Sequence, residues 1–494
     1  MRAPGKNRSR RVAPPVISAR LSHHITLQAQ ADGTIAADFD GYAIGLGKFS
    51  TETADRAQGL RLGLPLASFD AEGSASDKEI DLLVRRLARR GLVEYRVGRS
   101  HDGDDQVVIE PQVPDYWPRM PELDDAESIV LSRFAYLRRR GNEMVLESPR
   151  GGALFRICDP DIATAIATLS APQQVGRLRR GEGLREGFPQ AGLLALLVDC
   201  QILFKIDAAG SDGLRPNEGD GNLVLWDFHD LLFHTRSTEG RQANPLGGLY
   251  PYAGLMPAPP AVRPHWPGEK IDLGKLSPAS PETMMPVARL LRARHSTRDF
   301  DDRHPITLAE LACFLDGTAR VQAKWRSSLD FDDDGPMVDY TARPYPSAGS
   351  AYELEFYLAV ANCDGLARGF YHYDAGEHTL VPINVGAPEL DAMLKAAEFA
   401  MDAPAVPQIL ITIAARFGRI SWKYSSIAYS LVLKDVGVMY QTLYLMATDM
   451  GLGGCAIGTN NIDLFTKMTG IEFHIEGPVG QFAIGRAARA PVPD

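Results

Sequence analysis

The segment AYSLVLKDVGVMYQTLYLMATDM, which runs from Ala428 to Met450, limits most strongly how this chain of 494 residues can fold. Apolar residues recur along one side of it at helical spacing and fill the other side as well: Val436, Met439, Leu443 and Ala447 on the first, and Leu431, Val432, Val438 and Leu445 on the second. A helix that is apolar all round has to be buried. We therefore expect it at the centre of a domain or against a second copy of the chain.

The elements predicted on either side of this helix mix strands with helices. Strands are indicated by LEFYLAVANC from Leu354, QILITIAARFG from Gln408 and QFAIGRAA from Gln481, and a hairpin by GFYHYDAGEHTLVPI from Gly369. Further helices are predicted before the first of these strands and after the hairpin. We therefore predict an α+β domain over residues 282–494.

An internal repeat organises the first 206 residues. The predicted hairpin DGTIAADFDGYAIGL from Asp32 is followed about 109 positions later by a second one, GNEMVLESPRGGALFRI from Gly141. The helix, turn and strand of EIDLLVRRLARRGLVEYRV from Glu79 recur at nearly the same offset in AGLLALLVDCQILFKI from Ala191. A helix that runs into a short strand is typical of a winged helix, so we predict two tandem winged-helix-like modules, residues 16–112 and 113–206.

A winged helix can bind DNA or peptides, and charge helps to choose between them. The predicted helix from Glu79 carries four arginines that would suit DNA: Arg85, Arg86, Arg89 and Arg90. A solvent-exposed charged face is the simpler interpretation of such a helix. The chain as a whole has a net charge of −10 and a pI near 5.6, which argues against nucleic-acid binding and favours protein or peptide contacts.

Cysteine usage and the apolar segments indicate a reducing cytoplasm and no membrane span. The cysteines are five in number, far apart and without a CxxC pair, so neither a disulfide framework nor a zinc site is indicated. The basic opening MRAPGKNRSRRVAPP has no apolar core behind it, and we predict a disordered tail over residues 1–15. The apolar run LLALLV from Leu193 is far too short to cross a bilayer.

Residues 207–281 have the composition of a linker or a wrapping segment. They contain a Gly- and Asp-rich stretch and a Pro-rich stretch, with LWDFHDLLFHTRSTEGR from Leu225 between them. His229 and His234 are five positions apart and so do not share a helical face as metal ligands would. We expect no metal site, and instead an anchoring segment whose histidines bond to backbone or carboxylate groups.

Arg294, His295, Ser296 and Arg298 form a cluster of donors in the segment LLRARHSTRDF, which we predict to lie in a helix. Such a cluster is either the solvated end of a helix or a seat for a phosphate group. A dianionic phosphate favours charge-assisted donors, and arginine can supply two of them in a fork. The residues alone leave both interpretations open.

Two glycine-containing segments predict close approach of the backbone to another group. In RPYPSAGSAYELEFYL, Pro346 fixes the backbone, Ser347 offers a hydroxyl and Gly349 permits a positive φ. The segment GLGGCAIG from Gly451 matches G-x-G-x-x-A, but it follows a helix and precedes a strand, so we reject a dinucleotide site of the Rossmann type. We interpret it as a helix cap followed by glycines that pass close to something flat.

These three segments together resemble the nitroreductase-like flavoproteins, which are FMN-binding homodimers. With SWKYSSIAYS, GFYHYDAGEHTL and WDFHDLLFHTRSTEGR added, the chain resembles the SagB-type azoline dehydrogenases, and its doubled N-terminal module resembles the cyanobactin oxidases among them. The resemblance covers residues 222–490 and is architectural over the first 206. It implies FMN-dependent oxidation of thiazolines or oxazolines in a heterocyclised precursor peptide, with O2 reoxidising the flavin. It also implies that a leader peptide or a heterocyclase partner binds the N-terminal modules.

The resemblance also implies roles for residues that hold the cofactor. Arg294, His295, Ser296 and Arg298 would hold the flavin phosphate, ribityl chain and pyrimidine edge. The loop with Pro346, Ser347 and Gly349 would approach the ring from a second subunit. Gly458 and Thr459 would lie near the N5 edge, and Arg486 would close over the phosphate.

Lys423 and Tyr424 match the Lys-Tyr pair of the family's active site. Adjacent side chains diverge in a helix and in a strand, so both can reach one substrate only from an irregular loop, which SWKYSS permits ahead of a helix N-cap at Ser425 or Ser426. Without the resemblance, a surface lysine beside a core tyrosine is the simpler interpretation. The sequence Ser-Ser-Ile-Ala after the pair departs from the family's Gly and basic residue, so the substrate end of the pocket differs.

Two other functions are compatible with these patterns. One is a general nitroreductase or ene-reductase that uses NAD(P)H. The other is a non-catalytic scaffold, in which the flavin-like domain only organises a complex. A flavin absorbance in the purified protein would separate the scaffold from both enzymes.

Overall fold

The computed structural model describes residues 16–39, 42–69, 72–98, 103–113, 116–180, 190–206, 218–238, 285–328 and 337–488, with isolated positions at 255, 257, 260–262 and 273. The chain divides into two compact units, Met1–Val224 and Leu225–Asp494. The predicted tail of residues 1–15 and most of the predicted linker of residues 207–281 lie outside the described residues.

The first unit contains the repeat of element order that the sequence predicts. Its first half consists of β1 (Val16–Leu21), β2 (Thr26–Ala29), β3 (Thr34–Phe39), β4 (Tyr42–Lys48), α1 (Thr51–Ala57), β5 (Leu64–Pro65), α2 (Ala75–Ala88), β6 (Val93–Gly98) and β7 (Asp105–Pro111). Its second half consists of β8 (Ser128–Leu131), β9 (Tyr136–Arg140), β10 (Glu143–Glu147), β11 (Ala153–Ile157), α3 (Pro160–Thr168), β12 (Gln173–Gln174), α4 (Val175–Arg179), α5 (Gln190–Asp199) and β13 (Leu203–Ile206). The strand order β5-β1-β6 in one half matches β12-β8-β13 in the other.

The two halves of the first unit share a sheet and a core. The larger sheet has seven strands in the order β5-β1-β6-β7-β11-β10-β9, so β7 of the first half pairs with β11 of the second. A single hydrophobic cluster includes Ala19 and Leu83 from the first half and Phe155 and Leu196 from the second, all fully buried. The assignment of each half as a winged helix, and the boundary between residues 112 and 113, stay predictions.

The second unit contains the α+β domain that the sequence predicts for residues 282–494, and it begins earlier, at Leu225. Its elements are α6 (Phe228–Arg236), α7 (Pro286–Ala293), α8 (Leu308–Thr318), β14 (Ala323–Ser328), β15 (Met337–Ala342), β16 (Leu354–Val360), β17 (Gly369–Asp374), β18 (Thr379–Ile383), α9 (Ala387–Met401), β19 (Ile409–Arg416), α10 (Phe417–Ser421), α11 (Ala428–Asp449), β20 (Gly453–Ile457), α12 (Ile462–Thr469) and β21 (Glu476–Gly485). Six of the strands form an antiparallel sheet in the order β18-β17-β16-β19-β21-β20.

Helix α11 lies on one face of this sheet, and α9 and α12 pack on the other. Val436 and Met439 of α11 are buried, and a Cβ at Gly480 of β21 would lie 3.1 Å from Val436. On the opposite face, Tyr357 and Ala483 belong to a cluster with residues of α9 and α12. The predicted burial of the long apolar helix is thus confirmed for one side of it. On its other side Val432 is buried, whereas Leu431, Val438 and Leu445 are only half-buried.

The described part of the chain contains no helix that is both long enough and apolar enough to cross a membrane.

Candidate active site

The loop from Ser347 to Tyr352 has an unusual backbone that is fixed by hydrogen bonds to α11. Gly349, Ser350 and Tyr352 have φ values of 56°, 54° and 47°, a region that residues with a side chain rarely adopt. The Ser347 hydroxyl donates to Asp435 Oδ2 at 2.8 Å and accepts from the Tyr352 N–H at 3.0 Å. The positive φ predicted at Gly349 is therefore present, in a loop that Asp435 of α11 holds in place.

The side chains of Lys423 and Tyr424 converge on this loop. Both residues follow α10 in an irregular turn, where their N–H groups donate to the Ile420 carbonyl at 3.0 and 2.9 Å. A Cβ at Gly349 would lie 2.8 Å from Lys423 Nζ and closer still to the Tyr424 hydroxyl. Two adjacent residues thus bring their polar groups to one point. They can do so because the backbone between α10 and α11 is irregular, as predicted for the segment SWKYSS.

The N-terminus of α11 is capped by a segment from elsewhere in the chain. The predicted N-cap at Ser425 or Ser426 is wrong, because the N-cap position is Ile427 and no side chain of the helix caps it. The Ser426 N–H donates instead to Asp227 Oδ2 at 2.6 Å, and the Tyr429 N–H donates to Asp230 Oδ2 at 3.3 Å. Asp227 precedes α6 and Asp230 lies within it, so α6 fixes the start of α11.

His229 contributes to the same contact. Its Nε2 lies 3.0 Å from the Ser426 carbonyl oxygen and 3.2 Å from Asp230 Oδ1, in line with the backbone and carboxylate bonds predicted for it. Trp226 donates through Nε1 to the His474 carbonyl at 2.8 Å. The segment from Trp226 therefore anchors the turn that carries Lys423 and Tyr424.

The donor cluster from Arg294 to Arg298 follows a helix and does not lie in one, which corrects the prediction. Helix α7 ends at Ala293, and Arg294 has an extended backbone with ψ of 125°. The reason is pairing with β20, since the Thr297 N–H donates to the Gly454 carbonyl at 2.8 Å. The chain therefore leaves helical geometry after Ala293, and the segment that follows runs beside β20.

Arg294 and Ser296 gather around Tyr444 of α11. The Ser296 hydroxyl lies 2.9 Å from the Tyr444 hydroxyl, which also accepts the Ala456 N–H at 2.8 Å. The Arg294 guanidinium lies over the Tyr444 ring at 5.0 Å. Among the described residues, none accepts a hydrogen bond from the Arg294 guanidinium, so its donors can serve another group.

Arg298 and His295 are exposed beside this cluster. His295 Nδ1 lies 3.1 Å from the Ala293 carbonyl oxygen. Within the described ranges, neither Arg294 nor Arg298 forms an ion pair with a carboxylate. Burial raises the pKa of the nearby Cys455 thiol, and the charge of Arg298 opposes that rise. Two guanidinium groups without an anionic partner form a donor set that fits a phosphate.

Arg486 differs from these arginines because its guanidinium is already paired. Its Nη2 contacts both carboxylate oxygens of Glu310 at 2.7 Å, and its Nε donates to the His304 carbonyl at 3.1 Å. Arg486 also holds the pKa of Glu310 below its usual range. For Arg486 to close over a phosphate, as the sequence predicts, this ion pair would have to open.

Gly458 and Thr459 follow β20 directly. The Tyr440 hydroxyl donates to the carbonyl of Ile457 at 2.8 Å, which ties the end of β20 to α11. Gly458 is exposed, and a Cβ there would meet no atom within 4 Å. Pro346, at the start of the other loop, is exposed as well.

Helix α11 is the element that connects the predicted site residues. Asp435 holds the Ser347 loop, Tyr440 the end of β20, and Tyr444 the segment with Ser296. Tyr444 lies nine positions after Asp435, which corresponds to about 13.5 Å along a helix axis. Among these three residues the sequence carries a signal only for Asp435, because a lone acidic residue on the buried side of an apolar helix needs a partner.

Solved structures similar to this chain include nitroreductases. A nitroreductase structure from Ralstonia eutropha is 23% identical, with a TM-score of 0.32, and the match covers 43% of this chain and 89% of that one. The microcin synthetase McbBCD complex of E. coli is 19% identical, with a TM-score of 0.35, and the match covers 53% of this chain and 86% of that one. With TM-scores this low, neither likeness carries an argument about function.

Comparison with protein families is more informative. Residues 129–243 match the family described as cyanobactin oxidase ThcOx, and residues 291–486 match the nitroreductase family. A protein of Methanocaldococcus jannaschii that is named as a nitroreductase is 31% identical over 172 residues, which are 34% of this chain and 76% of that protein. The chain therefore belongs to the nitroreductase family of oxidoreductases, and a segment that matches the cyanobactin oxidase family precedes its nitroreductase domain in the sequence.

Proposed function

We propose that this protein is an FMN-dependent azoline oxidase, which converts thiazolines or oxazolines in a heterocyclised precursor peptide to thiazoles or oxazoles in the maturation of ribosomal peptide products. The match to the cyanobactin oxidase family ahead of the nitroreductase match supports this substrate class. The observation that carries the proposal is the convergence of Lys423 Nζ and the Tyr424 hydroxyl on Gly349.

The residues present fit the phosphate of FMN. Within the residues that the structure describes, the guanidinium groups of Arg294 and Arg298 have no anionic partner, and Ser296 and His295 add a hydroxyl and an imidazole beside them. The residues that we propose to surround the flavin ring are Pro346, Ser347, Gly349, Gly458 and Thr459. We propose Arg486 as a further donor to the phosphate, once its ion pair with Glu310 has opened. FMN, when bound, supplies an acceptor for the hydride that leaves the azoline, and O2 reoxidises it.

Aromatisation of an azoline removes a hydride and a proton from adjacent ring atoms, so the site needs a base. Lys423 takes the proton, and the Tyr424 hydroxyl orients the amine and the substrate. Gly349 lets both polar groups approach the same point because it has no side chain there. Asp435 and α6 keep the two loops facing each other.

A homodimer and a peptide partner complete the proposal. The apolar face of α11 that is only half-buried in one chain, with Leu431, Val438 and Leu445, suits burial against a second copy. The two N-terminal modules are the proposed binding site for a leader peptide or a heterocyclase.

The function is tested by a paired measurement on the wild type and on Lys423→Ala. In the absence of O2, an azoline peptide should bleach the flavin absorbance of the wild type, and mass spectrometry should show loss of two hydrogens per ring. Lys423→Ala should retain its flavin, since other residues hold it, and oxidise the peptide about 10² to 10⁴ times more slowly, which is the usual contribution of a general base. NAD(P)H should reduce the flavin of both proteins poorly.

Other outcomes would assign other functions. Rapid reduction of both proteins by NAD(P)H, with no response to the azoline peptide, would identify a general nitroreductase and leave Lys423 as a wall of the pocket. A colourless preparation that takes up no added flavin would favour the scaffold.

A further inference from the structure

Two buried carboxyl groups lie directly beneath the loop that carries Gly349, and the proposed chemistry uses neither. Glu353, the last residue before β16, is fully buried, and Asp435 of α11 is 6% exposed. The charge of Asp435 acts directly on the carboxyl group of Glu353. Both also contact the Ser347 hydroxyl, which lies 3.2 Å from Glu353 Oε2 and 2.8 Å from Asp435 Oδ2. Acidic side chains are almost never buried in this way unless something compensates their charge.

The hydrogen bonds of Ser347 show what compensates it. A hydroxyl has one proton to donate and two lone pairs to accept with. Ser347 accepts the Tyr352 N–H at 3.0 Å and donates to Asp435, which also accepts the Ala348 N–H at 2.9 Å. Ser347 then has no proton left for Glu353, so the contact between them is a hydrogen bond only if Glu353 donates.

The second oxygen of Glu353 leads to the same conclusion. Glu353 Oε1 is buried and has no hydrogen-bond partner in the part of the chain that the structure describes. An unpartnered oxygen costs much less in a neutral carboxylic acid than in a carboxylate, whose charge loses its hydration. Burial, followed by the nearby charge of Asp435, raises the pKa of Glu353 to about 7.

The cationic groups around the pair are directed mainly to backbone atoms. Arg343 Nη1 donates to the Leu354 carbonyl at 3.0 Å, and Arg419 Nε to the Ala351 carbonyl at 3.0 Å. The other titratable neighbours are Lys423 and Tyr424 across Gly349, Tyr345 with a buried hydroxyl, the exposed Lys434 beside Asp435, and Arg416, whose side chain pairs with Glu355 at 2.8 Å. The pair of carboxyl groups is therefore held by a proton and not by an arginine.

We propose that Glu353 is protonated in the active enzyme, and that the proton it shares with Asp435 through Ser347 positions the Ser347–Tyr352 loop beneath Lys423 and Tyr424. Glu353 is a positioning residue, because it acts through the loop. Its role in activity rests on the proposed function, whereas its protonation does not. Ionisation of Glu353 would place two carboxylates in buried contact and release a loop with three residues of positive φ.

The proposal fixes the direction of the pH dependence. The pKa of Glu353 is higher in the folded protein than in the unfolded chain, so the folded state binds more protons between those two values. The stability that the pair contributes is fully present below the ordinary pKa of glutamate and is lost as the pH rises towards 7. Activity relative to a variant that cannot ionise at position 353 should fall as the pH rises through the same value, since deprotonation of Lys423 affects both proteins alike.

The first test is an infrared pH titration of the flavin-loaded wild type, of Glu353→Gln and of Glu377→Gln. Glu377 is an exposed residue of the turn between β17 and β18 and serves as the control. The wild type and the control should show the carbonyl stretch of a buried protonated carboxyl group, with a midpoint near pH 7. Glu353→Gln should lack it. A band that is absent from the wild type, or that survives in Glu353→Gln, would overturn the proposal without bearing on the substrate.

The second test is the pH profile of kcat for azoline oxidation. Between about pH 6 and about pH 9 the ratio of the wild-type kcat to that of Glu353→Gln, whose amide can donate in place of the acid, should start near one and fall several-fold with the infrared midpoint. Deprotonation of Lys423 raises kcat in both proteins alike and cancels in the ratio. A ratio that does not change with pH would refute the role in positioning. A wild type without azoline oxidation would count against the proposed function only, since the infrared titration is independent of it.

A second variant covers the case in which Glu353→Gln does not fold. Asp435→Asn removes the charge that opposes ionisation of Glu353, so the infrared midpoint should move to lower pH. A midpoint that stays in place would overturn the sharing of a proton between the two residues.

Discussion

Gly349 shows how one residue determines the geometry of the site. It has φ of 56°, and the polar groups of Lys423 and Tyr424 occupy the space where a side chain would begin. Gly349→Ala should therefore retain flavin and lose azoline oxidation by about 10²-fold, because displacing reacting groups by an ångström costs about that much. Gly470→Ala is the matched control, since Gly470 has φ of 73° and no atom within 4 Å of a Cβ. Equal losses of activity in both variants would mean that backbone strain, and not the contact, is responsible.

Arg294 and Ser296 are the residues whose loss should release the cofactor. Hydrogen bonds to charged groups are worth roughly 1.5–3 kcal/mol each, so Arg294→Ala with Ser296→Ala should weaken FMN binding by several kcal/mol in total. Arg292→Ala removes an equally cationic side chain from the exposed last turn of α7 and should bind FMN as the wild type does. The ratio of flavin to protein absorbance after purification measures both. Full flavin in the double variant would remove the phosphate site from this cluster.

Sequence reasoning at this scale identified residue types better than their partners. The positive φ at Gly349 could be predicted and the donors from Arg294 to Arg298 could be recognised as a cluster, because backbone freedom and charge are visible in a sequence. That the cluster binds a phosphate stays a prediction. The pair of Glu353 and Asp435 was not, because it joins residues 82 positions apart whose meeting depends on the packing of α11 against the loop before β16. Tyr444 carries no signal at all, since one tyrosine in an apolar helix resembles any other.

At the scale of elements, α6 and α11 are joined by hydrogen bonds at the start of α11. Asp227 accepts the Ser426 N–H at 2.6 Å, in the place of the N-cap that α11 lacks. Asp227→Ala should lower the free energy of unfolding by about 0.5–2 kcal/mol, as loss of an N-cap does, and should slow azoline oxidation by loosening the turn with Lys423. Asp227→Asn keeps an acceptor oxygen and should restore most of both. Thermal melts and kcat of the three proteins decide this, and a melt of Asp227→Ala unchanged from the wild type would refute the cap.

The periodicity of apolar residues predicts which segments form helices and strands, but it does not predict where these elements begin and end. Helix α11, strands β16, β19 and β21 and the hairpin of β17 and β18 lie where apolar spacing predicts them. The N-cap failed because sequence rules search for a local acceptor, while Asp227 stands 199 positions before the N–H that it accepts. The segment from Arg294 is extended and not helical because it pairs with β20, which also lies far away in the sequence.

At the scale of the whole molecule, the repeat and the way its copies join have different origins in the sequence. The repeat could be predicted, because each copy carries the same order of hairpin, helix and strand. The pairing of β7 with β11 could not, because the edge of one strand offers the same backbone groups as any other. The two copies share a seven-stranded sheet and one core cluster, so they form a single compact unit up to Val224.

This arrangement predicts where the chain can be cut. A protein of residues 225–494 keeps every strand of the six-stranded sheet together with α6 and α11, so it should be soluble, purify with flavin and melt cooperatively. A protein of residues 113–494 keeps β11 but loses β7, which exposes a strand edge and the part of the shared core that includes Phe155. It should aggregate, although it is the longer of the two. Size-exclusion chromatography and flavin absorbance compare them directly. A well-behaved longer protein would show that the second copy folds alone, and a flavin-free shorter one would show that the cofactor site needs the first unit.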